Sequence, residues 1–141
     1  MLRFQMDILK TCLLTFPVEE VFNAWVSSET VIAPAQKMRI EPRLGGAYQL
    51  FMSADELKPS NSGKFLVFER NSRVVYSWEW YSDGEVTEIE VDFQPEAEGT
   101  RINLRHAGFT RQQSLELHDS GWDSYFAGFT TYLESRARGR A

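Results

Sequence analysis

The feature that most constrains the fold is the C-terminal segment HDSGWDSYFAGFTTYLESRARGRA, which begins at His118. Its large apolar side chains recur at steps of three and four residues, as in an amphipathic helix; they are Trp122, Tyr125, Phe126, Phe129, Tyr132 and Leu133. At about 100° per residue they form a stripe roughly 120° wide. Almost everything before this segment is typical of strands and hairpins. We therefore predict a curved sheet closed over one long helix, with either a filled core or a cavity between them.

Composition narrows the class of protein. A chain of 141 residues can bury one sizeable core, so we expect a single domain over residues 1–141. The lone Cys12 favours a reducing compartment, and we expect the cytoplasm. A net charge of −5 argues against a nucleic-acid partner, and no apolar run is long enough for membrane insertion. The oligomeric state is left open.

The first part of the chain is predicted to hold one strand and two short helices. Residues 1–16 are interpreted as the first strand, because Asp7 and Lys10 interrupt the apolar run that a secretion signal needs. Pro17 is well placed to open a first short helix. A second short helix is expected from Ser28 to Ala33, and the proline that follows would end it.

Hairpins are predicted for the middle of the chain. Two alternating strands are expected on either side of a turn from Pro42 to Gly46. Further on, the Asp83-Gly84 dipeptide indicates a two-residue turn, which fixes the register of the strands beside it. In that register one face is almost wholly apolar and the other is charged. The predicted inward pairs are Trp80 with Thr87, Trp78 with Ile89, Tyr76 with Val91, and Val74 with Phe93.

Two more turns extend this apolar face to four strands. A two-residue turn is predicted at Asn71-Ser72 and a four-residue turn from Pro95 to Glu98. Both turns keep the apolar side chains of the neighbouring strands on this same face. They set Phe65 opposite Trp78, Val67 opposite Tyr76, Ile102 opposite Val91, Leu104 opposite Ile89, and His106 opposite Thr87. We expect the terminal helix to cover this face. Gly128, inside that helix, indicates a close approach of helix to sheet.

Five segments, in this order, resemble a known superfamily: FPVEEVFNAW, EPRLGGAYQL, GKFLVFERNSRVVYSWEW, GTRINLRHAGF and GWDSYFAGFTTYL. Together they resemble the SRPBCC or START-like proteins, and within them the group of activators of the heat-shock-protein-90 ATPase (AHSA type). The resemblance implies an α+β helix-grip fold, in which a curved antiparallel sheet wraps around a long C-terminal helix and two short helices follow the first strand. Related sequences often carry tryptophan where the second short helix ends, whereas this chain has Ile32 and Ala33.

The same resemblance implies a function. Members commonly hold an apolar small molecule between helix and sheet, some bind protein partners, and a minority are enzymes. We therefore expect non-catalytic binding of a small apolar or aromatic molecule, a lipid or a metabolite. The expected ligand contacts are Phe65, Tyr76, Trp78, Trp80, His106, Trp122, Phe126 and Phe129. A chaperone-associated protein-binding module is the alternative.

Motifs that specify catalysis or metal binding are missing from the sequence. It contains no GxSxG, GxxxxGK, GxGxxG or HExxH pattern, so we expect no catalytic residue, cofactor or metal. His106 leaves one further alternative open, because the predicted register turns it inward. It is interpreted as a buried imidazole with a backbone partner, as a ligand contact, or as the acid or base of a cyclase or hydrolase-like enzyme. His118 is expected at the surface or in a helix cap.

Overall fold

The computed structural model describes residues 7–139. Its strands are β1 (Asp7–Leu14), β2 (Lys37–Ile40), β3 (Ala47–Phe51), β4 (Asn61–Glu69), β5 (Arg73–Trp80), β6 (Thr87–Glu96) and β7 (Gly99–Ala107). Its helices are α1 (Val18–Trp25) and α2 (Gln112–Gly139). The strands form one antiparallel sheet in the order β1-β7-β6-β5-β4-β3-β2, and α2 packs across it. The predicted α+β helix-grip architecture is confirmed.

The first strand and the first short helix are found where the sequence predicts them. The predicted strand over residues 1–16 is β1, and residues 1–6 lie outside the described part of the chain. Helix α1 begins directly after Pro17 and buries Phe22 and Trp25. The terminal helix α2 begins at Gln112, earlier than the apolar stripe alone indicates.

The second short helix, predicted from Ser28 to Ala33, is wrong. This part of the chain forms turns instead, and its side chains bond to the backbone of other elements. The Ser28 hydroxyl accepts from the Ile40 amide at 2.8 Å and donates to the Ile40 carbonyl, and the Thr30 hydroxyl donates to the Ala24 carbonyl. Such side-chain bonds compete with the helical ladder. They tie residues 26–36, which we call the α1–β2 segment, to the edge of the sheet.

The central hairpin has the predicted phase but not the predicted register. Trp78 lies opposite Thr87 rather than Ile89, and Tyr76 lies opposite Ile89, so the strands are shifted by two positions. The reason is the connection: residues 81–86 form a longer loop than the two-residue turn predicted at Asp83-Gly84. Within this loop Glu85 bonds to the start of α2, which a tight turn would prevent. A shift of two keeps every side chain on its predicted face.

The β4–β5 hairpin also differs from its prediction, both in the length of its turn and in its pairing. Glu69 pairs with Arg73, so three residues rather than two connect the strands, and Asn71 adopts a positive φ of 62°. A β-bulge between Phe65 and Val67 then restores the phase, which leaves Phe65 buried opposite Tyr76. Val67, predicted inward, pairs instead with Val75. Phe68 takes the inward place and packs edge-on against Phe22.

The β6–β7 hairpin is tighter than predicted. Glu96 pairs with Gly99, so Ala97 and Glu98 alone connect the strands, and His106 lies opposite Ile89 instead of Thr87. Gly99 has a φ of 149°, and a Cβ there would lie 2.0 Å from the carbonyl oxygen of Leu14. This close approach requires glycine and allows the strand to continue up to the turn.

Helix α2 contacts more than the sheet. A Cβ at Gly128 would lie 2.5 Å from Cγ2 of Ile32. The prediction that α2 approaches the sheet closely at this glycine is therefore wrong, because the close approach is to the α1–β2 segment. Lys10 of β1 pairs with Asp119 and Asp123 of α2 at 3.0 and 2.9 Å. Neither helix within residues 7–139 has both the length and the hydrophobicity that crossing a bilayer requires.

Candidate functional site

A cavity of about 550 Å³ lies between α2, one half of the sheet and the α1–β2 segment. The sheet contributes the side chains of Met38, Tyr48, Leu50, Tyr76, Trp78 and Trp80. The α1–β2 segment contributes Thr30, Ile32, Ala33, Pro34 and Ala35. Helix α2 contributes Gln113, Ser114, Leu117, His118, Gly121, Trp122 and Tyr125, and Asp83 and Arg111 complete the wall. A cavity of this size, lined mostly by aromatic and aliphatic groups, is typical of a small-molecule site.

Helix α2 presents one face to this cavity and a second face to the core. The cavity residues recur at steps of three and four from Ser114 to Tyr125. The core residues Phe126, Phe129 and Leu133 continue the pattern on the neighbouring face, and Trp122 belongs to both. The apolar stripe seen in the sequence is therefore two adjacent surfaces, of which one is packed and one is open.

Gly121 lies in the middle of the cavity face of α2. A Cβ placed there would meet no heavy atom within 4 Å, so the space beside this residue is empty. Glycine inside a helix costs about 1 kcal/mol relative to alanine. The missing side chain thus enlarges the cavity at a cost in helix stability.

The mouth of the cavity is closed on one side by a charged cluster around Glu85. This carboxylate accepts hydrogen bonds from the Thr110 and Arg111 amides at 2.9 and 3.2 Å and from the Ser114 hydroxyl. Burial raises the pKa of Glu85, but the bonds from Ser114, Thr110 and Arg111 outweigh it and bring that pKa down to about 2. Glu85 therefore fixes the start of α2 to the β5–β6 loop. The Arg111 side chain completes the cluster by pairing with Asp83 at 2.8 Å.

His118 lies in the cavity wall rather than at the surface or in a cap. Its Nε2 accepts a hydrogen bond from the Trp80 indole at 2.9 Å, so its Nδ1 carries the hydrogen and donates to the Ser114 carbonyl at 2.8 Å. Both ring nitrogens thus have protein partners. The bond to Trp80 connects the end of β5 to α2 beside the mouth.

His106 is fully buried behind this wall and does not line the cavity. Its Nδ1 accepts from the Trp122 indole at 3.0 Å, which leaves the hydrogen on Nε2. Nε2 then donates to the Thr87 hydroxyl at 2.7 Å, and that hydroxyl donates to the Trp78 carbonyl at 3.1 Å. Burial, together with the nearby His118, lowers the pKa of His106 to about 3. The geometry gives His106 a neutral ring in a closed hydrogen-bond chain.

Three tyrosine hydroxyls meet inside the cavity. The ring of Tyr48 stacks on that of Tyr76 with centroids 4.3 Å apart, and its hydroxyl interacts with those of Tyr76 and Tyr125; we call these three residues the tyrosine cluster. The Trp25 indole donates to the Tyr76 hydroxyl at 3.3 Å. Burial raises the pKa of Tyr48 to about 12 and the pKa values of Tyr76 and Tyr125 well above their ordinary value. The hydroxyls therefore stay protonated and form a neutral polar patch in an apolar wall.

The eight ligand contacts predicted from the sequence fall into two groups in the structure. Tyr76, Trp78, Trp80 and Trp122 line the cavity. The others pack in the core and have no place in the lining: Phe65, His106, Phe126 and Phe129.

Sequence reasoning missed part of the wall. Tyr48 shares the period-two alternation of its strand with Leu50, which also lines the cavity, and Tyr125 belongs to the helical stripe, so both carried a signal. Ile32 stands out in the sequence only as a position where related sequences often carry tryptophan, and it lines the cavity from a segment that is not helical. Among residues 7–139, no three histidine, cysteine, aspartate or glutamate side chains group closely enough to hold a metal ion.

Comparisons with solved structures agree with the fold. Protein MLL2253 from Mesorhizobium loti superposes with a TM-score of 0.77 at 18% identity, over 92% of this chain and 97% of that one. CalU16 from Micromonospora echinospora gives 0.73 at 24% identity, over 90% and 73%. PFC0360w, an Hsp90 activator from Plasmodium falciparum, gives 0.74 at 19% identity, over 94% and 96%. At these identities the likeness shows the fold alone.

The sequence itself also identifies the family. No curated protein matches the chain. The family model described as "Activator of Hsp90 ATPase homolog 1-like protein" matches residues 15–134. This range contains α1, strands β2 to β7 and most of α2. The chain belongs to this family, the AHSA-type group of the SRPBCC or START-like superfamily.

Proposed function

We propose that this protein binds a small apolar or aromatic molecule, a lipid or a metabolite, in the cavity between α2 and the curved sheet. The observation that carries the proposal is the cavity itself, about 550 Å³ in volume and walled by tryptophan, tyrosine and aliphatic side chains. An apolar guest would remove this surface from water, which stabilises a complex by about 25 cal/mol for each Å² buried. Leu117, 67% exposed at the mouth, would gain cover from the guest.

The proposal is a binding function and not a catalytic one. Both nitrogens of His106 are occupied inside the protein, and so are both nitrogens of His118. An enzyme that uses His106 stays a prediction that this geometry does not favour. We also propose a cytoplasmic location, because the half-buried Cys12 is a free thiol.

Native mass spectrometry and a thermal-shift panel of lipids and aromatic metabolites test the binding function. A compound that binds should add its mass to the protein and raise the free energy of unfolding by about 1.4 kcal/mol for each tenfold excess over its dissociation constant. No added mass and no stabilisation across the panel would count against the proposal.

Gly121 offers a matched pair of variants for this test. Gly121→Ala adds one methyl group in open space, whereas Gly121→Leu places a larger side chain in the middle of the cavity face. Both should stabilise the unliganded helix by about 0.5–1 kcal/mol, because each removes a helical glycine. Only the leucine variant should lose ligand binding. Equal binding by both variants would place the ligand elsewhere.

A second candidate function is a chaperone-associated module. The family to which the chain belongs carries the activator of Hsp90 ATPase in its description, and the structurally similar PFC0360w is described as an Hsp90 activator. We propose an Hsp90-type chaperone as the possible protein partner. Pulldown with that chaperone, together with its ATPase rate, tests this candidate.

Two substitutions locate a chaperone contact if there is one. Arg105 lies on the outer face of the sheet, where it pairs with Asp7 at 3.1 Å, and Trp80 lies at the cavity. Loss of capture in Arg105→Glu but not in Trp80→Ala would indicate binding through the outer face. The reverse result would indicate binding through the cavity side. A chaperone that neither binds nor changes its ATPase rate would exclude this function.

A further inference from the structure

The tyrosine cluster holds more donor hydrogens than its own hydrogen bonds use. The three tyrosine hydroxyls and the Trp25 indole supply four donor hydrogens, one from each group. One hydrogen bond joins them, from the Trp25 indole to the Tyr76 hydroxyl at 3.3 Å. Each hydrogen bond uses one hydrogen. At least one hydroxyl hydrogen therefore has no acceptor inside the cluster.

A second donor in the same wall is independent of the cluster. The indole nitrogen of Trp78 is buried, and within residues 7–139 it has no hydrogen-bond partner. Trp78 is only 8% exposed, and it lines the cavity. A buried N–H without an acceptor is rare in folded proteins, because it loses its bond to water and gains nothing in return.

The other polar groups of the wall do not balance these donors. Both nitrogens of His118 are already bonded, and the Thr30 and Ser114 hydroxyls donate to protein oxygens. Arg111 is the one cationic side chain in the described lining, and it is ion-paired with Asp83 and Glu85. The spare donor hydrogens of the inner wall therefore have no protein acceptor, and the wall offers no free positive charge to an anion.

We propose that the guest of this cavity is a neutral aromatic or alicyclic molecule with an acceptor oxygen, such as a ketone carbonyl, which takes the unshared hydroxyl hydrogen of the tyrosine cluster. This inference rests on the proposed binding function and adds the chemistry of the ligand. The raised pKa values of the three phenols agree with it, because they keep every hydroxyl hydrogen in place at neutral pH. A carboxylate would lose its hydration without gaining a cation.

The test compares two probes of nearly equal shape, acetonaphthone and ethylnaphthalene, by equilibrium dialysis. Their intrinsic solubilities differ, so the quantity to follow is the ratio of their dissociation constants in each protein. The double variant Tyr48→Phe/Tyr125→Phe removes two of the three hydroxyls and keeps that of Tyr76, to which Trp25 donates. In this variant the preference for the ketone should fall about tenfold, equivalent to ~1.4 kcal/mol. Tyr132→Phe, which alters a tyrosine of α2 outside the cavity, should keep the original ratio.

Infrared spectroscopy gives a readout that a purely structural role would not change. The carbonyl stretch of bound acetonaphthone should lie below its value in hexane, and the double variant should move it back toward that value. An unchanged ratio with a hexane-like carbonyl stretch would overturn the inference while leaving the binding function in place. Tighter binding of naphthoate, or of a naphthyl trimethylammonium ion, than of the ketone would also overturn it. If no probe binds at all, the proposed binding function falls too.

Discussion

The Trp80 indole donates a hydrogen bond of 2.9 Å to Nε2 of His118, and this bond joins the last residue of β5 to the second turn of α2. A parallel bond lies deeper, where the Trp122 indole donates to His106. The two imidazole rings are 5.0 Å apart and nearly perpendicular. The helix is thus held to the sheet by two tryptophan-to-histidine bonds at different depths, one in the core and one at the cavity.

A double-mutant cycle should measure the outer of these bonds. Trp80→Phe and His118→Leu each remove one partner, and the coupling between them should be about 1 kcal/mol, as for a neutral hydrogen bond. Urea denaturation of the four proteins gives this value. Costs that simply add would mean that the bond contributes nothing to stability.

The stability of the protein should depend on pH through His106. Its pKa is about 3 in the folded protein against 6.5 in an unfolded chain, so the unfolded state binds the proton more readily. Its contribution is therefore complete above pH 6.5 and decreases as the pH falls toward 3. Between pH 7 and pH 5 this predicts a loss of about 2 kcal/mol, measured by urea denaturation.

His106→Gln is the control for that pH dependence. Glutamine keeps one donor and one acceptor but does not titrate, so the variant should lose most of the slope between pH 7 and pH 5. The window stays above pH 4.5 so that the titration of Glu85 does not contribute. An undiminished slope in the variant would assign the pH dependence to other groups.

Removing the charge of Glu85 should loosen the start of α2. Its pKa of about 2, against 4.5 unfolded, corresponds to a stabilisation of at most about 3 kcal/mol that is present above pH 4.5 and is lost as the pH falls through 2. Glu85→Gln should lose much of it at pH 7 and should speed hydrogen exchange at the Thr110 and Arg111 amides. Glu88→Gln, at an exposed site on the next strand, should leave both quantities unchanged.

Two glycines of α2, Gly121 at the cavity and Gly128 against Ile32, should respond to alanine in opposite directions. Gly121→Ala meets open space and should stabilise the protein by about 0.5–1 kcal/mol. Gly128→Ala would place its methyl group against Ile32 and should destabilise by about 1–3 kcal/mol, because the α1–β2 segment must move. Thermal and urea denaturation check the sign. Ile32→Ala should relieve the cost at residue 128, and a cost that persists would point to another contact.

The sequence predicts the faces of the strands better than their partners. Side-chain alternation depends on local chemistry, so Trp78 and Ile89 point inward as expected. The partner of each residue depends on the length of the turn, and Glu85 lengthens the central turn through a contact with residues more than twenty positions away. Propensity at Asp83-Gly84 carries no information about that contact. The cavity could not be predicted from local patterns, because its shape depends on the long-range contact between Ile32 and Gly128.

The cavity wall contains Trp78, Trp80 and Trp122, three of the four tryptophans in the chain, and Trp25 stacks on Trp122 with their planes 9° apart. Almost all of the near-ultraviolet emission of this protein therefore originates at or beside the place where a guest would bind. Any occupant that displaces water from these indoles should shift the emission toward the blue or quench it. The protein thus reports its own occupancy without an attached dye.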